Sequence, residues 1–162
     1  MAKLKAEIDD KRLRKWLNKI LDSIPSQALM NRLGLAAIRL IKKRTRKGVD
    51  VEDEPFREYS EPYKKVRERA GLPTHPVNLT FNDIDGMMNN IDHLVARDFS
   101  KVLVYIKGSR NRRIARYHNV QGAGKSRVIR RFFAINKDEK KKLDSIAQQE
   151  LKTVLKGLSL GG

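Results

Sequence analysis

The chain has 162 residues, 40% hydrophobic and 34% charged, with a formal net charge of +17 and a pI near 10.3. It holds no cysteine, which excludes disulfides, thiolate metal sites and cysteine nucleophiles and suits a reducing cytoplasm. It has no run of about 18 apolar residues, so it predicts no membrane span, and Met1 to Lys15 is too charged for a signal peptide.

Glu7 to Ile24 predicts a helix, because Leu13, Trp16 or Leu17, Ile20, Leu21 and Ile24 recur at helical spacing. Pro25-Ser26 breaks it and starts a second helix that runs to Arg46. Leu29, Leu33, Ala36, Ala37, Leu40 and Ile41 give that helix an apolar face. Its basic end, with Lys42, Lys43, Arg44, Arg46 and Lys47, suits the negative pole of the helix dipole, and Gly48 is placed to cap it. Between Asp50 and Pro76 lie prolines 55, 62, 73 and 76, which predict an extended loop. Within it Ser60 to Ala70 predicts one short helix with Pro62 in its first turn, Tyr63 and Val66 inward, and a stop at Gly71.

Asn78 to Asn90 predicts a short helix, with Phe81, Ile84, Met87 and Met88 as its apolar residues and Thr80 or Asn82 as its cap. Ile91 to Val95 and Lys101 to Lys107 predict a strand pair turned at Asp98-Phe99-Ser100. Arg110 to His118 predicts a short helix, Gln121 to Lys125 a glycine-rich loop, and Arg131 to Ile135 a last strand. Lys137 to Leu158 carries a strict stripe of Leu143, Ile146, Ala147, Leu151, Val154, Leu155 and Leu158, with Asn136 or Asp138 as cap. The order of elements implies an α+β fold: two N-terminal helices, a small antiparallel sheet, an extended proline-containing loop and a long C-terminal helix. One domain is expected over 1–162: a helical part (1–47), the loop (48–77), an α/β core (78–136), the last helix (137–158) and a short tail (159–162).

From Lys107 to Arg131 the chain holds nine cations and no Asp or Glu: Lys107, Arg110, Arg112, Arg113, Arg116, Lys125, Arg127, Arg130 and Arg131. A solvated face normally mixes both signs, so this block implies an anionic partner, nucleic acid or an acidic protein surface. Asp50, Glu52, Asp53 and Glu54 form an acidic patch that lacks the spacing of a calcium loop and is read as a solvated acidic patch or a docking patch for another subunit's arginine.

Gly122-Ala123-Gly124-Lys125-Ser126 looks like the end of a phosphate-binding loop, but Asn119 stands where that motif needs its first glycine. A basic segment precedes it and a strand-like one follows, so nucleotide hydrolysis is rejected. His75, His93 and His118 are isolated, with no metal-ligand spacing, and no serine sits in a nucleophile setting. Catalytic, metal and cofactor residues are therefore expected to be none. A nuclease would need clustered carboxylates holding a metal.

A longer order of residues carries a resemblance. The helix end Lys43-Arg44-Thr45-Arg46-Lys47-Gly48 leads to Asp50 through Phe56, then Tyr59-Ser60-Glu61-Pro62-Tyr63, Leu79-Thr80 and Gly86-Met87-Met88. His118-Asn119, Gly122 and Arg131-Phe132-Phe133 follow, before the last helix. This order, over roughly Ile38 to Leu158, resembles the virion-morphogenesis (tail-completion) family of tailed bacteriophages and prophages. Where that family has Arg-Pro-Phe, this chain has Arg131-Phe132-Phe133, and its loop after Asn119 is enlarged and basic.

The resemblance implies a non-enzymatic virion protein of the phage neck or tail end, made in the host cytoplasm, acting in tail completion or head-tail joining. It implies a homo-oligomeric ring, expected as a hexamer, with neck, tail-tube or connector proteins as neighbours, possible contact with channel DNA, and no membrane. Head-to-tail rings need two unlike surfaces, and the acidic patch and basic run are expected to be that pair. Phe56, Tyr59, Tyr63, Gly86, His118, Asn119, Gly122 and Phe132 are its structural motif residues. The alternative is a DNA-binding protein without sequence preference, whose affinity would fall steeply with salt.

Overall fold

The structure, a computed structural model, describes residues 26–79, 86–125 and 127–159. The helix expected over Glu7 to Ile24 lies outside them, as do residues 80–85 of the one expected over Asn78 to Asn90; the described remainder of that segment, 78–79 and 86–90, is turn and extended chain rather than helix. Among the described residues the fold is α+β, with four α-helices and a two-stranded antiparallel sheet.

Helix α1 spans Gln27–Arg46. The Ser26 hydroxyl accepts from the Leu29 amide at 3.0 Å and so satisfies one free donor of the first turn. At the other end Gly48 has a left-handed φ of 77°; its amide donates to the Thr45 carbonyl and the Val49 amide to that of Arg44, which closes the helix. The buried face is Gly34, Ala37, Ile38, Ile41, Arg44 and Thr45. This corrects the expected face: Leu29, Leu33, Ala36 and Leu40 are only half-buried. The sheet lies over Gly34 and Ile38, which rotates the stripe toward them.

Chain reversal follows at once. Val49 pairs with Pro55 across a tight loop, and the Phe56 amide donates to the Gly48 carbonyl at 2.6 Å. Helix α2, Glu61–Arg69, has a proline in its first turn as the sequence indicates. Its inward residue is Arg67 rather than Tyr63 and Val66, which are 39% and 48% exposed. The Arg67 guanidinium lies 4.8 Å from the Tyr59 ring centre, and its Nε donates to the Pro73 carbonyl at 2.9 Å, so a cation held by a ring face and a carbonyl fills the place expected for an apolar side chain.

Met87 and Met88 are buried in a turn closed by amides of Asn89 and Asn90 on the Gly86 carbonyl. Strands β1 (Ile91–Val95) and β2 (Val102–Ile106) pair antiparallel, with Ile91 opposite Ile106 and Leu94 opposite Leu103. Asp98 makes the expected turn, accepting from the amide and hydroxyl of Ser100 at 3.1 and 2.8 Å. Alternation sends Ile91 and Ile106 into the core and leaves Leu94 and Leu103 outward, 61% and 59% exposed.

Helix α3 (Ser109–Arg116) runs into one π-helical turn, Tyr117–Gln121, that ends at Gly122 with φ 85°. Residues Arg131 to Ile135 form no strand, which corrects that expectation. Their backbone groups are satisfied elsewhere: the Phe132 and Ala134 carbonyls accept from Arg44 at 2.7 and 2.8 Å, and the Phe133 amide donates to the Asn119 side chain at 3.0 Å.

Helix α4 spans Lys137–Ser159. Asn136 and Glu139 cap it reciprocally: the Glu139 amide donates to Asn136 Oδ1 at 2.8 Å and the Asn136 amide to Glu139 Oε2 at 3.0 Å. The helix packs on α1, where Arg32 meets Glu150 at 2.7 Å. The core joins Ile38 and Ile41 to Phe56, Tyr59, Val77, Met87, Met88, Ile91, Ile106, Ala115 and Phe132.

Candidate anion-binding face

The nine cations from Lys107 to Arg131 do not share one environment. Arg130 is buried, 6% exposed. Its Nη2 donates to the carbonyls of Arg57 and Glu58 at 2.8 and 3.1 Å, and its guanidinium lies 5.6 Å from the Tyr59 ring centre. Burial lowers its pKa, with Tyr59 and Tyr63 offsetting part of that. An arginine so held keeps its charge but offers it to no partner. Lys107 meets Asp92 at 2.5 Å, and that bond raises the lysine pKa and holds the Asp92 carboxyl below the usual carboxylate range. Arg131 meets Glu52 at 2.9 Å.

Six cations remain: Arg110, Arg112, Arg113, Arg116, Lys125 and Arg127. All are exposed, and none has an ion-pair partner among the described residues. Four of them belong to α3. At about 100° per residue, Arg112, Arg116, Arg113 and Arg110 occupy one solvent arc, while Ile114 and Ala115 occupy the other and pack against the core. The strong segregation of this short helix therefore has one physical meaning: two apolar anchors fix it and four guanidiniums point away.

Lys125 and Arg127 sit at the tip of a tight hairpin closed by Ala123 and Val128, whose amides donate to each other's carbonyls at 2.9 and 3.2 Å. Gly124 and Arg127 take left-handed φ values of 70° and 46° there. The glycines thus serve a turn. No strand precedes Gly122 and no helix follows Lys125, so the phosphate-loop geometry is absent from these described residues.

The acidic patch is organised by its own chain. The Asp50 carboxylate accepts from the amides of Glu52 and Glu54 at 2.8 and 3.1 Å. Asp53, at φ 62°, accepts from the Asn136 side chain at 3.0 Å, and Glu52 holds Arg131. Glu54 is exposed. The two patches expected to pair between subunits therefore already meet within one chain at Glu52 and Arg131. That exposed contact contributes at most about 1 kcal/mol.

The motif residues fall mainly inside. Phe56, Tyr59 and Phe132 are core residues, and Phe132 is fully buried. Tyr59 donates to the Asn78 carbonyl, and burial raises the pKa of its hydroxyl. Tyr63 is partly exposed, its ring edge-on to Tyr59 with centres 5.1 Å apart. The Gly86 carbonyl anchors the turn before β1, and the Asn119 side chain anchors Phe133. Gly122 has no room for a side chain, because a Cβ there would lie 2.3 Å from the Arg127 carbonyl oxygen. The His118 carbonyl accepts from the Arg130 amide at 2.7 Å. Burial, with Arg130 nearby, pulls the His118 imidazole down to about 4.

Sequence reasoning missed the buried charges Arg44, Arg67 and Glu139. Arg44 donates to the Glu139 carboxylate as well as to two carbonyls. Only the Asn136-to-Glu139 capping spacing signalled any of this in advance. A shallow groove of about 430 Å³ between α1 and α4, lined by Ala28, Asn31, Arg32, Leu35, Ala36, Arg39 and Ile146, lies apart from the α3 face. Among the described residues no three His, Cys, Asp or Glu side chains stand close enough to hold a metal ion. No helix among them is long and apolar enough to cross a membrane. Comparison of the chain with protein-family models, with curated proteins and with solved structures finds no match.

Proposed function

We propose that this chain is a non-enzymatic structural subunit of the neck or tail end of a tailed bacteriophage. It acts in tail completion or head-tail joining as a member of a ring, and the arginine face of α3 docks it on an anionic neighbour. One observation carries the reading. Residues quoted for the resemblance are scattered from Phe56 to Phe133 in sequence, yet Phe56, Tyr59, Met87, Met88 and Phe132 share one core. Asn119 ties Phe133 to the turn after α3. Shared motifs that build a frame, with an unpaired charged face outside it, suit a protein whose work is binding.

The exposed pair Leu94 and Leu103 on the outer face of the sheet suits a subunit that is covered in an assembly. The experiment is deletion and complementation in the phage that encodes the chain, with sedimentation of the purified protein. The expected result is unjoined heads and tails without the protein and an oligomer in solution. A protein that stays monomeric, in a phage that still joins heads to tails without it, sinks the reading.

A further inference from the structure

We infer that the neighbour met by the α3 face is duplex DNA, gripped through its phosphate backbone without regard to sequence by Arg110, Arg112, Arg113 and Arg116, with Lys125 and Arg127 extending the grip. This rests on the reading of that face as the docking surface and names its partner.

The choice between DNA and an acidic protein surface follows from what the face contains and what it lacks. Five of its six cations are arginines, whose planar forks match phosphate oxygens two at a time. A protein interface draws most of its energy from buried aromatic or aliphatic anchors at its centre. The solvent arc of α3 has none; Tyr117, Val120 and Ile129, 45%, 63% and 48% exposed, lie outside it, in the turn after the helix and on the arm of the hairpin. Binding driven by neutralised phosphates and released counterions needs no such anchor.

The cations are also held in advance. Ile114 and Ala115 pack against the core, and the Arg112 amide donates to the Gly108 carbonyl at 3.0 Å. Little backbone order is lost on docking, so more of the charge attraction survives as affinity. No carboxylate between Lys107 and Arg131 competes with phosphate for the guanidiniums. Helix α3 is about 12 Å long, against an axial rise of about 3.4 Å per base pair, so it spans three or four base pairs. That is short for a recognition helix reading bases in a groove, which makes the contact one of backbone positioning.

The test uses the full chain and a 30-base-pair duplex of random sequence, followed by fluorescence anisotropy over a salt series. Arg112→Gln/Arg113→Gln/Arg116→Gln is compared with the parent chain, and poly-glutamate serves as competitor. The parent is expected to bind a scrambled duplex equally well. The triple variant is expected to bind at least about tenfold more weakly near 0.1 M salt, and its salt slope is expected to fall by about 2.7, three contacts at about 0.9 each. The single variants, each expected to lower the slope by about 0.9, keep the test decisive if the triple does not fold. Unchanged duplex affinity in the variants overturns the proposal. So does displacement of the duplex by poly-glutamate at equal charge concentration, which would point to an acidic protein instead. Either failure leaves the subunit reading to stand or fall on head-tail joining, and a failure there leaves the duplex result intact.

Discussion

Arg44, two residues before the end of α1 in a stretch that suits a helix dipole, is buried against Glu139 in the first turn of α4, 95 residues away. The same guanidinium donates to the carbonyls of Phe132 and Ala134, and the same carboxylate caps α4 through the Asn136 amide. Two helix ends and the irregular segment between them are thus fastened by one ion pair. Removing one partner leaves the other charge buried and unpaired, which typically costs 3–5 kcal/mol. Arg44→Met and Glu139→Ala are each expected to destabilise by about that much in urea unfolding. In the double variant the losses are expected to be clearly less than additive, because each single change already breaks the shared contact. Strict additivity would mean that the pair contributes little as a pair.

Gly34 determines how closely α1 and β1 approach. A Cβ there would lie 2.3 Å from His93 Cδ2 and 2.5 Å from Cγ. His93 cannot yield freely, since its Nε2 sits 3.2 Å from Asn31 Oδ1. Gly34→Ala is expected to cost about 1–3 kcal/mol despite the better helix propensity of alanine. His93→Ala added to it is expected to recover part of that loss, which thermal unfolding of the two variants would show. No recovery would place the strain elsewhere.

His118 makes stability fall in mild acid. Its folded pKa is depressed to about 4 by burial first and the charge of Arg130 second, against 6.5 for the ordinary imidazole. The unfolded chain therefore takes up a proton at a pH where the folded one does not. The stability held by the neutral ring is complete above pH 6.5 and is lost as pH falls toward 4, on the order of 3 kcal/mol in all. Urea unfolding at pH 7.5 and 4.5 is expected to show a larger drop for the parent chain than for His118→Gln. Equal drops would mean that the imidazole takes up its proton in the folded state without penalty.

Arg127 and Arg130 stand three residues apart and are expected to respond in opposite ways to charge reversal. Arg130 is enclosed by Tyr59 and the carbonyls of Arg57 and Glu58. Arg130→Glu would bury an anion against carbonyl oxygens and is expected to abolish folding or cost more than 4 kcal/mol, the range of unpaired buried charge. Arg127→Glu lies on the exposed hairpin tip and is expected to fold normally, although its left-handed φ favours a smaller residue. Far-ultraviolet circular dichroism with heating distinguishes the two, and a folded Arg130→Glu would refute the burial argument.

Phe132→Ala tests the core that the motif residues share. The side chain is fully buried, so the variant is expected to lose about 3–5 kcal/mol, read as a lower denaturant midpoint. A loss below about 1 kcal/mol would mean that the site collapses and that Phe132 is no keystone.

Local chemistry was enough to place most elements. The Ser26 cap, the left-handed Gly48, the β-branched and aromatic run Val102 to Ile106, the Asp98 turn and the Asn136 cap all act within a few residues, so their signals survive in one dimension. The sequence alone also determined that nine cations crowd between Lys107 and Arg131 without a carboxylate. It could not say which of them face water. Arg130 turned inward, Lys107 and Arg131 found Asp92 and Glu52, and Arg131 to Ile135 gave up a strand to serve Arg44. Tertiary structure alone decided these outcomes, because burial and pairing of a charge depend on which distant segments meet, and no local spacing encodes that meeting.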